Sequence, residues 1–182
     1  MATTTTTNAT KVITGKVRLS YVSVFEMNDK GKYSTAILIP KSDKATLDKI
    51  KGAIEAVKTD PKASTTWGGK FLSSFKTPLR DGDTDRDVEK SPEYKGHFFV
   101  NCNSGQKPGV VDAQLNPIMD KSEVYSGCYA RVSINLYAYS VDGNKGIAAG
   151  LNNVQKLADG DSLSGRARAE DDFTAVEDDF LA

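Results

Sequence analysis

Apolar residues recur at every second position over 127–141, the clearest strand signal in the chain. Ala130, Val132, Ile134, Leu136 and Ala138 form one face, and Tyr129, Arg131, Ser133, Asn135, Tyr137 and Tyr139 form the other. A slip of one residue would expose the whole apolar face, so the pattern fixes the register. Asp142-Gly143-Asn144-Lys145-Gly146 reads as a hairpin turn, and 147–157 as the returning strand. Residues 12–25 are rich in β-branched and aromatic types and predict one long strand, bent or bulged near Gly15. Val17, Leu19 and Tyr21 alternate there, whereas Val22, Val24 and Phe25 fall out of step. Asn28-Asp29-Lys30-Gly31 is a turn signal, after which Tyr33–Ile39 completes a hairpin stopped by Pro40.

Helical spacing occurs once. Leu47, Ile50, Ile54 and Val57 are three, four and three residues apart and build one apolar stripe. Ser42 is the expected N-cap, Asp43 suits the positive helix end, and Asp60-Pro61 is the expected stop. From 62 to 96 the pattern is irregular and reads as a long loop. Residues 98–103 predict a short strand, with Phe98, Val100 and Cys102 on one face and His97, Phe99, Asn101 and Asn103 on the other. A further short strand is expected at 109–112. Short strands, one helix and long loops predict a mainly β chain folded as a closed or partly open antiparallel barrel. The domain would span 11–158, between an N-terminal arm at 1–10 and a linker with acidic tail at 159–182.

Charge divides the chain. It holds 24 basic and 24 acidic residues. The stretch AEDDFTAVEDDFLA at 169–182 carries six of the acids and no base, which leaves 24 basic against 18 acidic residues, a net of +6, in the rest. A basic body joined to an acidic tail suggests binding to a polyanion, with the tail as a competitor. Asp171-Asp172-Phe173 and Asp178-Asp179-Phe180 repeat one phrase, and the repeated Phe points beyond mere solubility. The sequence MATTTTTNATK has no apolar signal core, so secretion is not expected. Cys102 and Cys128 lack metal-type spacing, and His97 has no neighbouring Cys or His, so neither a zinc site nor a histidine triad is expected. No cofactor is implied.

The polar face of 129–139 carries three tyrosines and an arginine where Lys, Glu and Thr would be ordinary. Aromatic rings stack on bases, and arginine pairs with phosphate or stacks. Tyr129, Tyr137, Tyr139 and Phe99 are therefore the candidate stacking residues, with Asn101 beside them. Lys16, Arg18, Lys30, Lys32 and Arg131 are the candidate phosphate contacts. The competing reading lays the tyrosines under the 62–96 loop as a second core layer. On that loop Trp67 and Lys70 either close over a bound strand or, for Trp67, pin the loop to the barrel. Asp81, Asp83, Asp85 and Asp87 resemble the start of a calcium loop, but Arg86 and Pro92 stand where its Gly and Glu belong. The enzyme alternative is a metal-dependent nuclease built on those acids, and the other alternative is an adaptor barrel that contacts only protein.

The chain resembles phage-encoded single-stranded DNA-binding proteins with an OB (oligonucleotide-binding) fold and an acidic C-terminal tail. The resemblance rests on YSTAILIP at 33–40 with the helix after it, GHFFVN at 96–101, PGVVD at 108–112, VYSGCYAR at 124–131 and GLNNVQK at 150–156. It implies a five-stranded barrel with one helix and long loops, and non-catalytic coating of single-stranded DNA in phage replication, recombination and repair within the host cytoplasm. It also implies that Asp178, Asp179 and Phe180 recruit a replicative DNA polymerase or other fork proteins. Chain order and acidic tail are similar, more distantly, to the corresponding protein of short-tailed lytic coliphages. Lys30 and Tyr139 stand at matching DNA-contact positions, Asn101 stands where that family has a lysine, and Leu181 and Ala182 follow the last aromatic.

Overall fold

A computed structural model describes residues 9–70, 72, 76–163 and 172–176. Among the described residues, eight strands are arranged in one sheet: β1 (Lys11–Ile13), β2 (Val17–Ser23), β3 (Tyr33–Pro40), β4 (Leu79–Asp81), β5 (His97–Ser104), β6 (Gly109–Val111), β7 (Tyr129–Val141) and β8 (Asn144–Ala158). Their pairings close on themselves through β2, β3, β5, β8 and β7, because β7 pairs both β8 and β2. This five-strand circuit is the expected OB-type barrel. Every junction is antiparallel except β5–β8, which is parallel at Cys102↔Ala149 and Asn103↔Gly150.

The strand expected over 12–25 is divided into β1 and β2 by Thr14-Gly15-Lys16, yet both halves run along β7. Thr14 holds the break in register by donating its N–H to Val132 O and accepting the Val132 N–H on Oγ1. Gly15 donates its N–H to Thr46 Oγ1 at 2.9 Å. A Cβ on Gly15 would lie 3.2 Å from both Asp43 Oδ2 and Thr46 Oγ1, so a side chain would crowd the helix start.

Helix α1 (Lys44–Lys58) turns Leu47, Ile50, Ala53 and Val57 to the core and packs on β1 and β7. Its N-cap is Asp43, one residue after the expected Ser42, because the Asp43 carboxylate accepts the Thr46 N–H at 3.2 Å. The region expected as loop contains a second helix, α2 (Pro61–Thr66), capped by Asp60 with Pro61 in its first turn. It also contains β4 and one turn of helix, α3 (Gly82–Asp85). Six residues are too few to carry a readable apolar period, which is why α2 escaped the pattern.

The main core fills the barrel with the inward faces of β2, β3, β5, β7 and β8, and Trp67 and α1 extend it. Both thiols lie in it, and burial pushes the Cys102 thiol up to about 12. A separate cluster of Leu38, Tyr94 and Phe99 sits on the outer face of β3 and β5. Tyr94 meets the Phe99 ring edge-on with centroids 5.1 Å apart.

Candidate nucleic-acid interface

Strand β7 alternates as expected, with Ala130, Val132, Ile134 and Leu136 buried and Arg131 and Tyr137 exposed. Register then sets what stands beside each outward side chain. On one part of the outer surface, Tyr137 and Tyr139 line a groove of about 840 Å³ with Asn101 and Asn103 of β5 and the basic side chains of Lys32, Lys76 and Arg80. Tyr137 is 42 % exposed and so presents a ring to solvent. The groove continues into a second hollow of about 410 Å³ through Lys32, Asn101 and Asn103, which line both.

Lys30 and Lys32 belong to the β2–β3 turn, organised by Asn28. The Asn28 Oδ1 accepts the backbone N–H of both lysines at 2.9 and 3.1 Å. Gly31 takes a φ of +71° and donates to Asn28 O. The turn chemistry is spent on the backbone, so both ammonium groups are left in solvent.

The remaining candidates divide differently from the expectation. Tyr129 lies eight residues back along β7, about 26 Å at ~3.3 Å per residue. Lys16 and Arg18 stand over its ring at 4.9 and 5.8 Å. Arg18 is also tied down, donating to Gly127 O and Asp161 O at 3.1 and 2.7 Å. Arg131 is exposed and donates to Thr14 O. These residues form a second basic-aromatic patch, distinct from the Tyr137–Tyr139 groove.

Phe99 is a correction. It points to the outer face as expected but is fully buried beneath Tyr94, Arg80 and Arg86, so it offers no ring to a base. Of the three tyrosines that the competing reading lays in a second core layer, Tyr137 is exposed, and Tyr129 and Tyr139 are half-buried. Trp67 is buried, and its Nε1–H donates to Tyr139 O and Gly146 O at 3.2 and 3.3 Å. It pins the loop to the β7–β8 hairpin, and Lys145 Nζ donates back to Trp67 O. Lys70 is exposed. Asp178, Asp179 and Phe180 lie outside the described residues; of the first acidic phrase, Asp172 and Phe173 are described and are exposed.

The acids at 81–87 serve local structure. Lys41 Nζ bridges Asp81 and Asp83 at 2.9 and 2.7 Å, holding both carboxyls below the usual aspartate range, and its own pKa is raised in return. Asp83 also accepts the Gly96 N–H at 3.0 Å. Asp85 pairs with Arg80, and Asp87 caps the turn that follows it.

Alternation did not find Tyr21, Arg86, Lys76 or Arg80. Tyr21 is in phase with the core residues Val17 and Leu19, yet it is 60 % exposed. A bulge between Ser20 and Ser23 and a φ of +49° turn it outward. The lost step at Val22, Val24 and Phe25 was the available signal. Lys76, Arg80 and Arg86 lie in the irregular stretch, where no period locates a face.

A five-strand barrel with an outer groove of tyrosines, amides and basic side chains has the architecture of the oligonucleotide-binding barrels. The chain belongs to the family described as the ssDNA-binding protein of Enterobacter phage Enc34, matching it over residues 10–181. That family works by binding, which sets the chain apart from the nuclease alternative. It is 30 % identical over 186 residues to protein p50 of Acyrthosiphon pisum secondary endosymbiont phage 1, covering 94 % of this chain and 98 % of that one. Among solved structures it is similar to the single-stranded DNA-binding protein of bacteriophage Enc34, with a TM-score of 0.74 at 24 % identity over 91 % of this chain and 90 % of that one. The same phage protein in complex with ssDNA gives a TM-score of 0.73 at 24 % identity, over 86 and 91 % of the two chains. The gp2.5 single-stranded DNA-binding protein of bacteriophage T7 shares the fold at a TM-score of 0.58 and 11 % identity, over 87 and 97 %.

Proposed function

We propose that the chain binds single-stranded DNA along its outer barrel face, largely independently of sequence, in phage replication and recombination within the host cytoplasm. The observation that carries this reading is the groove in which Tyr137 and Tyr139 stand beside Asn101 and Asn103, with Lys32, Lys76 and Arg80 around them. Rings without a fixed hydrogen-bonding partner accept any base by stacking, and flanking ammonium and guanidinium groups take the phosphates. The amides of Asn101 and Asn103 add hydrogen bonds to base edges or sugar. The Lys16–Arg18–Tyr129–Arg131 patch provides a further basic contact. Six tail acids compete with DNA for these basic groups, and Asp178, Asp179 and Phe180 recruit a polymerase or another fork protein.

The test is alanine substitution at Tyr137 and at Tyr139. Each loses about 1–3 kcal/mol of oligo-dT binding, as for a stacked base. The melting temperature of Tyr137→Ala stays unchanged because the ring is half in solvent. Full-strength binding by both variants would remove the stacking role.

A further inference from the structure

The hollow that continues the groove past Lys32 contains an aromatic group that the tyrosine strand does not supply. Tyr21 is held there with a φ of +49°, a region in which a residue with a Cβ carries a conformational cost. The bulge between Ser20 and Ser23 produces this conformation, and the result is a tyrosine 60 % exposed among core-forming neighbours. Strain of this kind, spent on exposing a ring, points to a use for the ring.

The ring is also supported from behind. Arg86 places its guanidinium 5.5 Å from the Tyr21 centroid. The same group lies 4.8 Å from Tyr94 and 5.4 Å from Phe99. Arg86 Nε is buried with no hydrogen-bond partner among the described residues, so the aromatic faces are what surround it there. Arg86 thus stands over the Tyr21 ring while the residue as a whole stays 60 % exposed. Lys30 and Lys32 line the same hollow, within reach of the phosphates that flank a base.

We propose that Tyr21 is a second stacking platform for single-stranded DNA, backed by Arg86 as a positioning residue, at the opposite end of the groove from Tyr137 and Tyr139. This rests on the single-stranded DNA reading above and extends it. The strand runs from the β7 tyrosines across Asn101 and Asn103, past Lys32 and Lys30, and places a later base on Tyr21. The platform therefore sets the length of DNA that one molecule engages.

The experiment measures dissociation constants for oligo-dT of graded length with the full chain, Tyr21→Leu, Tyr21→Phe and Tyr137→Ala, each checked for melting temperature. Leucine keeps apolar cover over Arg86 but has no ring to stack. Tyr21→Leu is expected to weaken binding roughly tenfold for oligomers that span the whole groove, with no change for the shortest that bind. Tyr21→Phe should bind like the unsubstituted chain at every length. Tyr21→Leu binding like the unsubstituted chain throughout, while Tyr137→Ala weakens, would overturn the second platform and leave the DNA reading intact. An equal loss at all lengths would overturn its placing at the end of the path. No binding by the unsubstituted chain would overturn both readings.

Discussion

Individual side chains divide by what covers them. Phe99 and Tyr137 both occupy outward positions on barrel strands, yet one lies beneath Tyr94 and the other faces the groove. Alternation reports which face a residue takes, not whether a distant segment lands on that face, so the sequence reads both as stacking candidates. Cys102 shows the opposite case, since its place in an apolar phase predicts its burial. Its Sγ–H donates to Thr35 O, and desolvation raises its pKa to about 12. The thiolate is the nucleophile, so the folded chain should leave Cys102 unmodified by iodoacetamide at pH 8 and should alkylate it only after denaturation. Mass spectrometry of the native reaction reads this directly, and rapid labelling of Cys102 in the folded chain would contradict its burial.

The longest elements were the most legible, although the three-residue β6 was also read at 109–112. Strand β7 shows its alternation in full and α1 carries four periodic apolar residues, and both formed as expected. Helix α2, strand β4 and helix α3 are each six residues or fewer and depend on contacts far away in sequence. The segment from β4 to β5 is fastened by Lys41, which bridges Asp81 and Asp83 across forty residues. Hydrogen bonds from Lys41 depress both carboxyl pKa values. A depressed acid contributes stability above its unfolded value, and this contribution is lost as pH falls through the folded value. The fastening therefore persists at neutral pH and is released only below the ordinary aspartate value of 3.8. The Gly96 amide, which donates to Asp83, reports it: its NMR resonance should titrate with a midpoint below 3.8. A midpoint at or above that value would show that Lys41 does not hold Asp83.

At the scale of the whole molecule, barrel and tail differ in charge and in how much the sequence reveals. The acids at 169–182 and the bases of the body are counted directly from the sequence. Their spatial arrangement is not, because the groove gathers Lys32, Lys76, Arg80 and Tyr137 from separate parts of the chain. The competing-tail reading predicts that deleting residues 169–182 tightens DNA binding, most at low salt, where six competing charges are least screened. Equal affinities with and without the tail at low salt would contradict it. The central claim is tested most directly by titrating the intrinsic tyrosine and tryptophan fluorescence of the full chain with unlabelled oligo-dT across a series of salt concentrations. Saturable quenching whose affinity falls linearly in log–log form with salt is the predicted result, since rings and phosphates are engaged together. No quenching at the lowest salt would contradict the account and return the barrel face to protein contact.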